Sequence, residues 1–385
     1  MADVVIVGGG MAAARLARRI DAPTTVIAGE RRPAYNRVLL PGVLAGQYGP
    51  EVIALPQPGE RVRWRAGVRA TAIDTAARTV RCDDGSSEPY GTLVLATGAA
   101  PVLPPLHDGV LPEGVRAFRT LDDALAPPGA RAVVIGGGLS GVSAAAALAV
   151  RGTETVLVQQ GERLMERQLD AGASAVLRER LTALGVEVHT ACRVRRLLPG
   201  AVQLADAYEL AADTVILACG ALPLTGLARD AGLRTGRTGG VLVDDRLRTS
   251  DPHIHAIGDC AEHAGRAYGL ASAALEQADV LAEVLAGRPG AAYRGSRPLY
   301  RLSLPGPIDL AAFGTTGADP GDDTVRLADA TRGTYRSLVV RGDRLRGGVL
   351  VGDLGAVGTL TRTWEADEPL PATPLLHLLT HDGGN

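Results

Sequence analysis

The sequence predicts an α/β protein with two Rossmann-like three-layer domains of one design, followed by a C-terminal α+β domain. Three observations carry that expectation: a glycine turn between an apolar strand and a small-residue helix near the start, its return about 130 residues later, and a change to short alternating apolar runs beyond Pro289.

Val4–Val7 is a continuous apolar run, Gly8-Gly9-Gly10 interrupts it, and Ala12–Ile20 has helical character. Val133–Ile135, Gly136-Gly137-Gly138 and Gly141–Val150 repeat that order. A second strand follows each helix, at Thr24–Ile27 and Thr155–Val158, as a right-handed β-α-β crossover requires. Leu93-Val94-Leu95-Ala96-Thr97-Gly98-Ala99 and Val215-Ile216-Leu217-Ala218-Cys219-Gly220 read as buried parallel strands whose terminal glycine meets a ligand. Pro101, Pro104, Pro105 and Pro112 mark a crossover between domains. Past Pro289, the runs Leu299–Leu304, Ile308–Phe313, Thr324–Ala328, Tyr335–Val340 and Leu345–Val351 predict a mainly antiparallel sheet, with one helix at Ala356–Trp364. The last dozen residues carry little pattern and are expected to be loosely held. The expected division is 1–115 with 235–288 for the first domain, 116–234 for the second and 289–385 for the third.

A chain of 385 residues exceeds what one hydrophobic core usually serves, which agrees with several domains. With a net charge of −2, nothing draws it to nucleic acid or an anionic membrane. Every one of the 40 Lys+Arg residues is Arg, so Schiff-base catalysis is excluded. The cysteines, Cys82, Cys192, Cys219 and Cys260, form no close pair, which argues against a zinc site, an iron–sulfur cluster or a local redox dithiol, and no metal is expected. No apolar stretch is long enough to span a bilayer, and the first strand begins without a basic leader, so a cytoplasmic protein is expected.

A pyrophosphate needs backbone N–H donors at a helix start with no side chain in the way. Gly8, Gly10 and Ala13 meet that need at G-x-G-x-x-A spacing. Glu30 follows about 20 residues on, where a carboxylate takes ribose hydroxyls. Strand, turn, helix and acid together favour dinucleotide binding over a merely structural turn. The second fingerprint has all three glycines, Gly136, Gly138 and Gly141, but Gln159 stands where Glu30 closed the first strand. Gln hydrogen-bonds a ribose yet discriminates poorly between NADH and NADPH. Arg163 and Arg167 are near enough in sequence to meet a 2′-phosphate, although solvated helix arginines account for them equally well. The balance leans towards NADH.

The two fingerprints, Ala96-Thr97-Gly98 between them and His255-Ala256-Ile257-Gly258-Asp259 late in the chain resemble the two-dinucleotide-binding-domain flavoproteins of the glutathione-reductase type, which include ferredoxin and rubredoxin reductases. Within them, the likeness is greatest to the flavoprotein module of assimilatory nitrite and nitrate reductases. Ala34-Tyr35-Asn36-Arg37-Val38-Leu39-Leu40, Leu164-Met165-Glu166-Arg167-Gln168-Leu169-Asp170, Cys260-Ala261-Glu262-His263 with Tyr268-Gly269-Leu270, Ile308-Asp309-Leu310 and Gly348-Val349-Leu350-Val351-Gly352-Asp353 carry it across nearly the whole chain.

The resemblance implies FAD in the first domain, held by Gly8, Gly10, Ala13, Glu30, Arg37 at the pyrophosphate, Ala96, Thr97, Gly98, Gly258, Asp259 at the ribitol, and Gln277 starting a helix aimed at the flavin ring. It implies NADH or NADPH as co-substrate in the second domain, at Gly136, Gly138, Gly141, Ser143, Gln159 and Gly220. Three departures stand out. The chain stops short of iron–sulfur and sirohaem domains, so it is not expected to reduce nitrite by itself. A Lys common after the Arg37-type segment is replaced near Gly42, and a Glu common after the second fingerprint is Ser143. Losing one partner of a buried ion pair would cost roughly 3–5 kcal/mol, whereas both are absent here. Either a neutral pair replaces a charged one, or the nicotinamide pocket is altered.

The implied activity is flavin-centred hydride transfer with no protein nucleophile, and no Cys lies near Leu39–Leu44 to suggest peroxidase or coenzyme-A-disulfide chemistry. His263 is a candidate for a place near the flavin, with a structural role equally weighted, and His253 and His255 read as structural. The expected acceptor is a separate iron–sulfur or haem protein in nitrogen-oxide metabolism. The alternatives are a small metabolite reduced directly, or a flavin-binding regulatory protein without turnover. A monomer or homodimer is expected.

Overall fold

The computed structural model describes residues 3–106, 111–306 and 308–370. It divides into two compact units, one built from the stretches up to Leu39, Pro50–Ala100 and Ala221–Ser296, the other from Leu40–Gly49, Pro101–Gly220 and the chain from Arg297 onward.

In the first unit, Ile254–Ala256, Thr92–Leu95, Val4–Val7, Thr24–Ala28 and Val62–Ala66 lie side by side in that order as a parallel sheet. Val4–Val7 sits at the centre and is buried on both faces, which explains its unbroken apolar run. One face is covered by the helices Met11–Ala17 and Ala271–Leu285, whose Leu16, Ala278 and Leu281 pack with Ile6, Val26 and Val94. On the other face, Val5, Val7, Leu93 and Leu95 meet Val80, Tyr90 and Ile254. An antiparallel three-stranded flap, Ala70–Asp74, Thr79–Cys82 and Ser87–Pro89, is tied back to the sheet by Arg65, which donates to Glu88 and Asp84 at 2.5 Å each.

His255 lies in the edge strand, buried, with Nδ1 3.3 Å from the Arg246 carbonyl. Burial pushes its pKa below 6.5, against the pull of its backbone hydrogen bonds. The folded state therefore holds the neutral ring, and the unfolded chain binds the proton first. Stability from this source is complete above about pH 6.5 and falls as the pH drops from there towards the lower folded value. In thermal melts between about pH 7 and pH 5, the wild type should lose stability faster than His255→Gln. Parallel curves would show that the ring is not held neutral.

The second unit repeats the sheet: Val186–His189, Glu154–Val158, Arg131–Ile135, Thr214–Leu217 and Val115–Ala117, all parallel. Helix Leu139–Val150 follows the central strand and is Ala-rich and almost wholly buried. Small side chains let it lie close to the sheet. A flap of Val194–Leu198, Ala201–Leu204 and Glu209–Ala211 corresponds to the one in the first unit.

In the same unit, Leu299–Leu304, Ile308–Gly314, Arg344–Val351, Thr334–Arg341 and Asp323–Asp329 form an antiparallel sheet in that spatial order. Helix Val357–Ala366 covers it with Val357 and Leu360 against Phe313, Leu338 and Leu350. The sheet meets the parallel domain through Tyr335, whose hydroxyl donates to Asp170 at 2.7 Å, and through Arg180, which donates to the carbonyls of Arg332 and Gly333 at 2.8 Å. Asp170 also caps helix Ala171–Ala183 by accepting from Ala173 N–H, so one carboxylate serves both contacts. The expectation for the last dozen residues falls outside the described residues.

Candidate functional sites in the two parallel sheets

The first glycine turn is made by close backbone approach. Gly8 has φ +119° and its N–H donates to the Ile27 carbonyl at 2.8 Å. A Cβ on Gly8 would lie 2.1 Å from the Ala96 carbonyl oxygen, so only glycine lets these two strand ends meet. Gly10 is the N-cap of its helix, with no side-chain cap and no acid in the first turn, and the space above its Cα is open. Ala13 is fully buried where the helix crosses the turn. Open space beside uncapped N–H groups is what an adenine-dinucleotide pyrophosphate requires.

Glu30 stands just past the Thr24–Ala28 strand, as the acid position demands. Its carboxylate accepts from the Tyr35 hydroxyl at 2.7 Å and from Arg37, whose guanidinium stacks 5.1 Å from the Tyr35 ring centroid. Arg37 is thus brought onto Glu30, and Tyr35, part of the same segment but given no site role by the sequence, holds both. A carboxylate has about four acceptor sites, so the fixed Glu30 keeps capacity for ribose hydroxyls.

The Ala96-Thr97-Gly98 turn is pinned by Thr97 Oγ1 donating to Leu224 O at 2.7 Å and by Leu224 N–H donating to Gly98 O at 2.9 Å. Gly258 has φ +76°, and its N–H donates to Gln277 Oε1 at 2.7 Å. Asp259 follows in the short turn Gly258–Cys260. Here the expectation for Gln277 is corrected: the helix begins at Ala271, and Gln277 lies buried inside it. Ala271, Ala273 and Ala274 are strong helix formers and start the helix directly after Leu270, so the polar residue marks an inward contact instead of the helix start. Nearby, Glu262 is buried and accepts from the N–H groups of Arg237 and Thr238 at 3.1 and 2.9 Å, while His263 Nε2 lies 2.9 Å from Asp245 with its ring edge-on to Tyr293.

The second turn repeats the first. Gly136 has φ +111°, donates to Val158 O at 2.8 Å, and leaves 2.4 Å between its absent Cβ and the Ala218 carbonyl oxygen. Gly138 caps the helix without a side-chain partner and faces open space, and Gly220 has φ +102° with open space beside it. At Gly141 a Cβ would lie 1.8 Å from Gly136 O, so this helix sits directly on its turn. Gln159 does not simply stand in for Glu30: its Oε1 accepts from Gly137 N–H at 2.8 Å. Met165 N–H donates to Gly137 O at 2.8 Å, completing a clamp on the middle residue of the turn.

Ser143 is buried and donates to Leu139 O at 2.8 Å in its own helix. A Cβ on Gly42 would lie 2.2 Å from the Tyr48 hydroxyl oxygen, so the phenol fills the place of a longer side chain. Burial raises the Tyr48 pKa and keeps it neutral. Both departures from the charged pair are therefore neutral groups with local contacts.

All four cysteines are free thiols. Burial pushes Cys192, Cys219 and Cys260 upward in pKa, which disfavours a thiolate at neutral pH. Among the described residues no group of His, Cys, Asp or Glu could hold a metal ion, and no helix is long and apolar enough to cross a membrane.

Two glycine turns of one geometry, one with a carboxylate at its strand end, on two parallel sheets of one strand layout, define an FAD- and nicotinamide-dependent oxidoreductase without a redox-active disulfide. Residues 2–278 match the pyridine nucleotide-disulphide oxidoreductase family, and the chain belongs to it. It is 37% identical over 361 residues to the large subunit of nitrite reductase [NAD(P)H] from Klebsiella oxytoca, covering 90% of this chain and 37% of that protein. It is 31% identical to the assimilatory nitrate reductase electron transfer subunit of Bacillus subtilis, covering 91% of this chain and 47% of the relative. The chain thus spans under half of those proteins. Among solved structures it superposes on a covalent putidaredoxin reductase–putidaredoxin complex with TM-score 0.87 at 25% identity, covering 98% of each chain. A ferredoxin reductase from Rhodopseudomonas palustris gives TM-score 0.84 at 26% identity, covering 96% of this chain and 95% of that one.

Proposed function

We propose that the protein draws two electrons from a nicotinamide coenzyme into FAD and passes them to a separate redox protein, in nitrite or nitrate reduction or related nitrogen metabolism. The observation that carries this reading is the doubled turn, Gly8 against Ala96 in one unit and Gly136 against Ala218 in the other. Bound FAD would supply a two-electron acceptor that releases electrons singly or in pairs.

The chain's own contribution is placement. Gly8, Gly10 and the first helix start receive the pyrophosphate of FAD, Glu30 takes the ribose hydroxyls, and Gln277 holds the Gly258 turn on which Asp259 stands. Gly136, Gly138 and Gly141 do the same for the coenzyme. Neutral Tyr48 and Ser143 add no charge to the second unit. With no thiolate or metal called on, rate comes from proximity and orientation. The acceptor reading is supported by the names of the relatives: a nitrite reductase, a nitrate reductase electron transfer subunit, and a nitric oxide reductase FlRd-NAD(+) reductase of Vibrio vulnificus, 30% identical, of which this chain covers 94%. We place the protein in the cytoplasm, as a monomer or homodimer, with domains at 1–115 with 235–288, 116–234 and 289–385.

Anaerobic stopped-flow mixing tests the reading. NADH or NADPH should bleach the flavin rapidly with no metabolite present, and an oxidised ferredoxin-type iron–sulfur protein should restore the colour. Fast bleaching that only a small metabolite reverses would overturn the protein acceptor. Slow reduction by both coenzymes would overturn catalysis altogether.

A further inference from the structure

We infer that Glu166 supplies the carboxylate that the second dinucleotide site lacks at its strand end, and that it sets the coenzyme preference to NADH. This rests on the reading above that the second unit takes a nicotinamide coenzyme.

In the first unit the acid is Glu30, beside the end of its strand. In the second, Gln159 occupies that place, and its acceptor oxygen is engaged by Gly137 N–H at 2.8 Å. The carboxamide nitrogen faces outward, 3.4 Å from the Arg163 carbonyl. What remains at the strand end is a donor, whereas ribose hydroxyls are best held by an acceptor that carries charge.

The following segment returns to this point. Met165, at φ +48°, donates its N–H to Gly137 O at 2.8 Å. Leu164 is buried, with a methyl carbon 2.7 Å from where a Gly137 Cβ would stand. These two contacts fasten the segment over the turn and fix where the next side chain starts. That side chain is Glu166, exposed, and its carboxylate folds back above Gly161. A Cβ on Gly161 would lie 2.5 and 2.6 Å from the two Glu166 oxygens and 2.7 Å from Gln159 Nε2. Carboxylate and carboxamide nitrogen therefore share one spot beside the strand end, and Gly161 leaves it open.

A carboxylate at that spot accepts from the adenosine ribose hydroxyls and repels a 2′-phosphate. Arg163 and Arg167, both exposed on the same segment, are the groups that would favour the phosphate instead. The geometry points to Glu166, because its two carboxylate oxygens lie nearest the position above Gly161, with Gln159 Nε2 beside them.

The test uses the full-length flavoprotein and titrates NAD+ and NADP+ by calorimetry, which reads binding without turnover. Wild type should bind NAD+ more tightly. Glu166→Gln should weaken NAD+ about tenfold, the factor one charge-assisted hydrogen bond supplies, and Glu166→Arg should reverse the preference. Gly161→Ala should move the ratio the same way while keeping the charge, since the atoms nearest its Cβ are the flexible ends of Glu166 and Gln159. Flavin content in each variant reports folding. Wild-type preference for NADP+, or a ratio unchanged in Glu166→Gln and Glu166→Arg, overturns the inference. Tight, Glu166-dependent NAD+ binding without flavin reduction by NADH would instead overturn the proposed electron transfer and leave the inference standing. Absence of binding by either coenzyme overturns both.

Discussion

Replacing Gly8 by alanine is expected to give a chain purified without flavin. At φ +119° an L-residue is strained by about 1–3 kcal/mol before any contact is considered. The added methyl would lie 2.1 Å from the Ala96 carbonyl oxygen, a backbone atom directly after the neighbouring strand Thr92–Leu95 that cannot swing aside as a side chain would. Overpacking of that kind adds about 1–3 kcal/mol. Against a typical net stability of roughly 5–15 kcal/mol, the fold survives, but the turn relaxes away from Ala96 and the N–H groups lose their aim. The measurement is the ratio of flavin to polypeptide in the visible spectrum, with melting temperature followed as FAD is added. Wild type should gain stability with FAD by mass action, and the variant should not. A Gly8→Ala protein carrying a full complement of flavin would show that this turn does not hold it.

The parts of the molecule legible in its sequence are those governed by local rules. Alternation alone places Leu299–Leu304, and it brings the other antiparallel strands within a residue or so of Ile308–Gly314, Asp323–Asp329, Thr334–Arg341 and Arg344–Val351. The two glycine turns are legible because a tight strand-to-helix turn leaves no alternative to glycine at Gly8 and Gly136. Less legible are the outer strands Val115–Ala117 and Ile254–Ala256, too short for a period to show, each added to its sheet from a distant part of the chain. The family resemblance puts Gln277 at a helix start, whereas its place inside the helix Ala271–Leu285 is fixed by a tertiary partner, Gly258 N–H, that no local pattern marks. Tyr48 lying on Gly42, Tyr35 on Glu30 and Glu166 on Gly161 are side-chain placements set by tertiary packing. The last depends on a left-handed Met165, which no sequence rule marks.

Gly141→Ala should separate the two sites. Its Cβ would fall 1.8 Å from the Gly136 carbonyl oxygen, so the helix Leu139–Val150 must lift from the turn it now rests on. The first unit carries Ala13 at the matching fingerprint place, fully buried within its helix. Lifting the helix start withdraws the Gly138 end from an incoming pyrophosphate. An overpacking cost of about 1–3 kcal/mol, felt mainly in that alignment, corresponds to roughly 10- to 100-fold weaker coenzyme binding. Flavin should remain bound in full, because its turn belongs to the other unit, and a chemical reductant such as dithionite should bleach it as in wild type. Only reduction by NADH should slow, through a raised Kd seen in the concentration dependence of the single-turnover rate. If NADH reduced Gly141→Ala as readily as wild type, the coenzyme would have to bind somewhere other than this helix start.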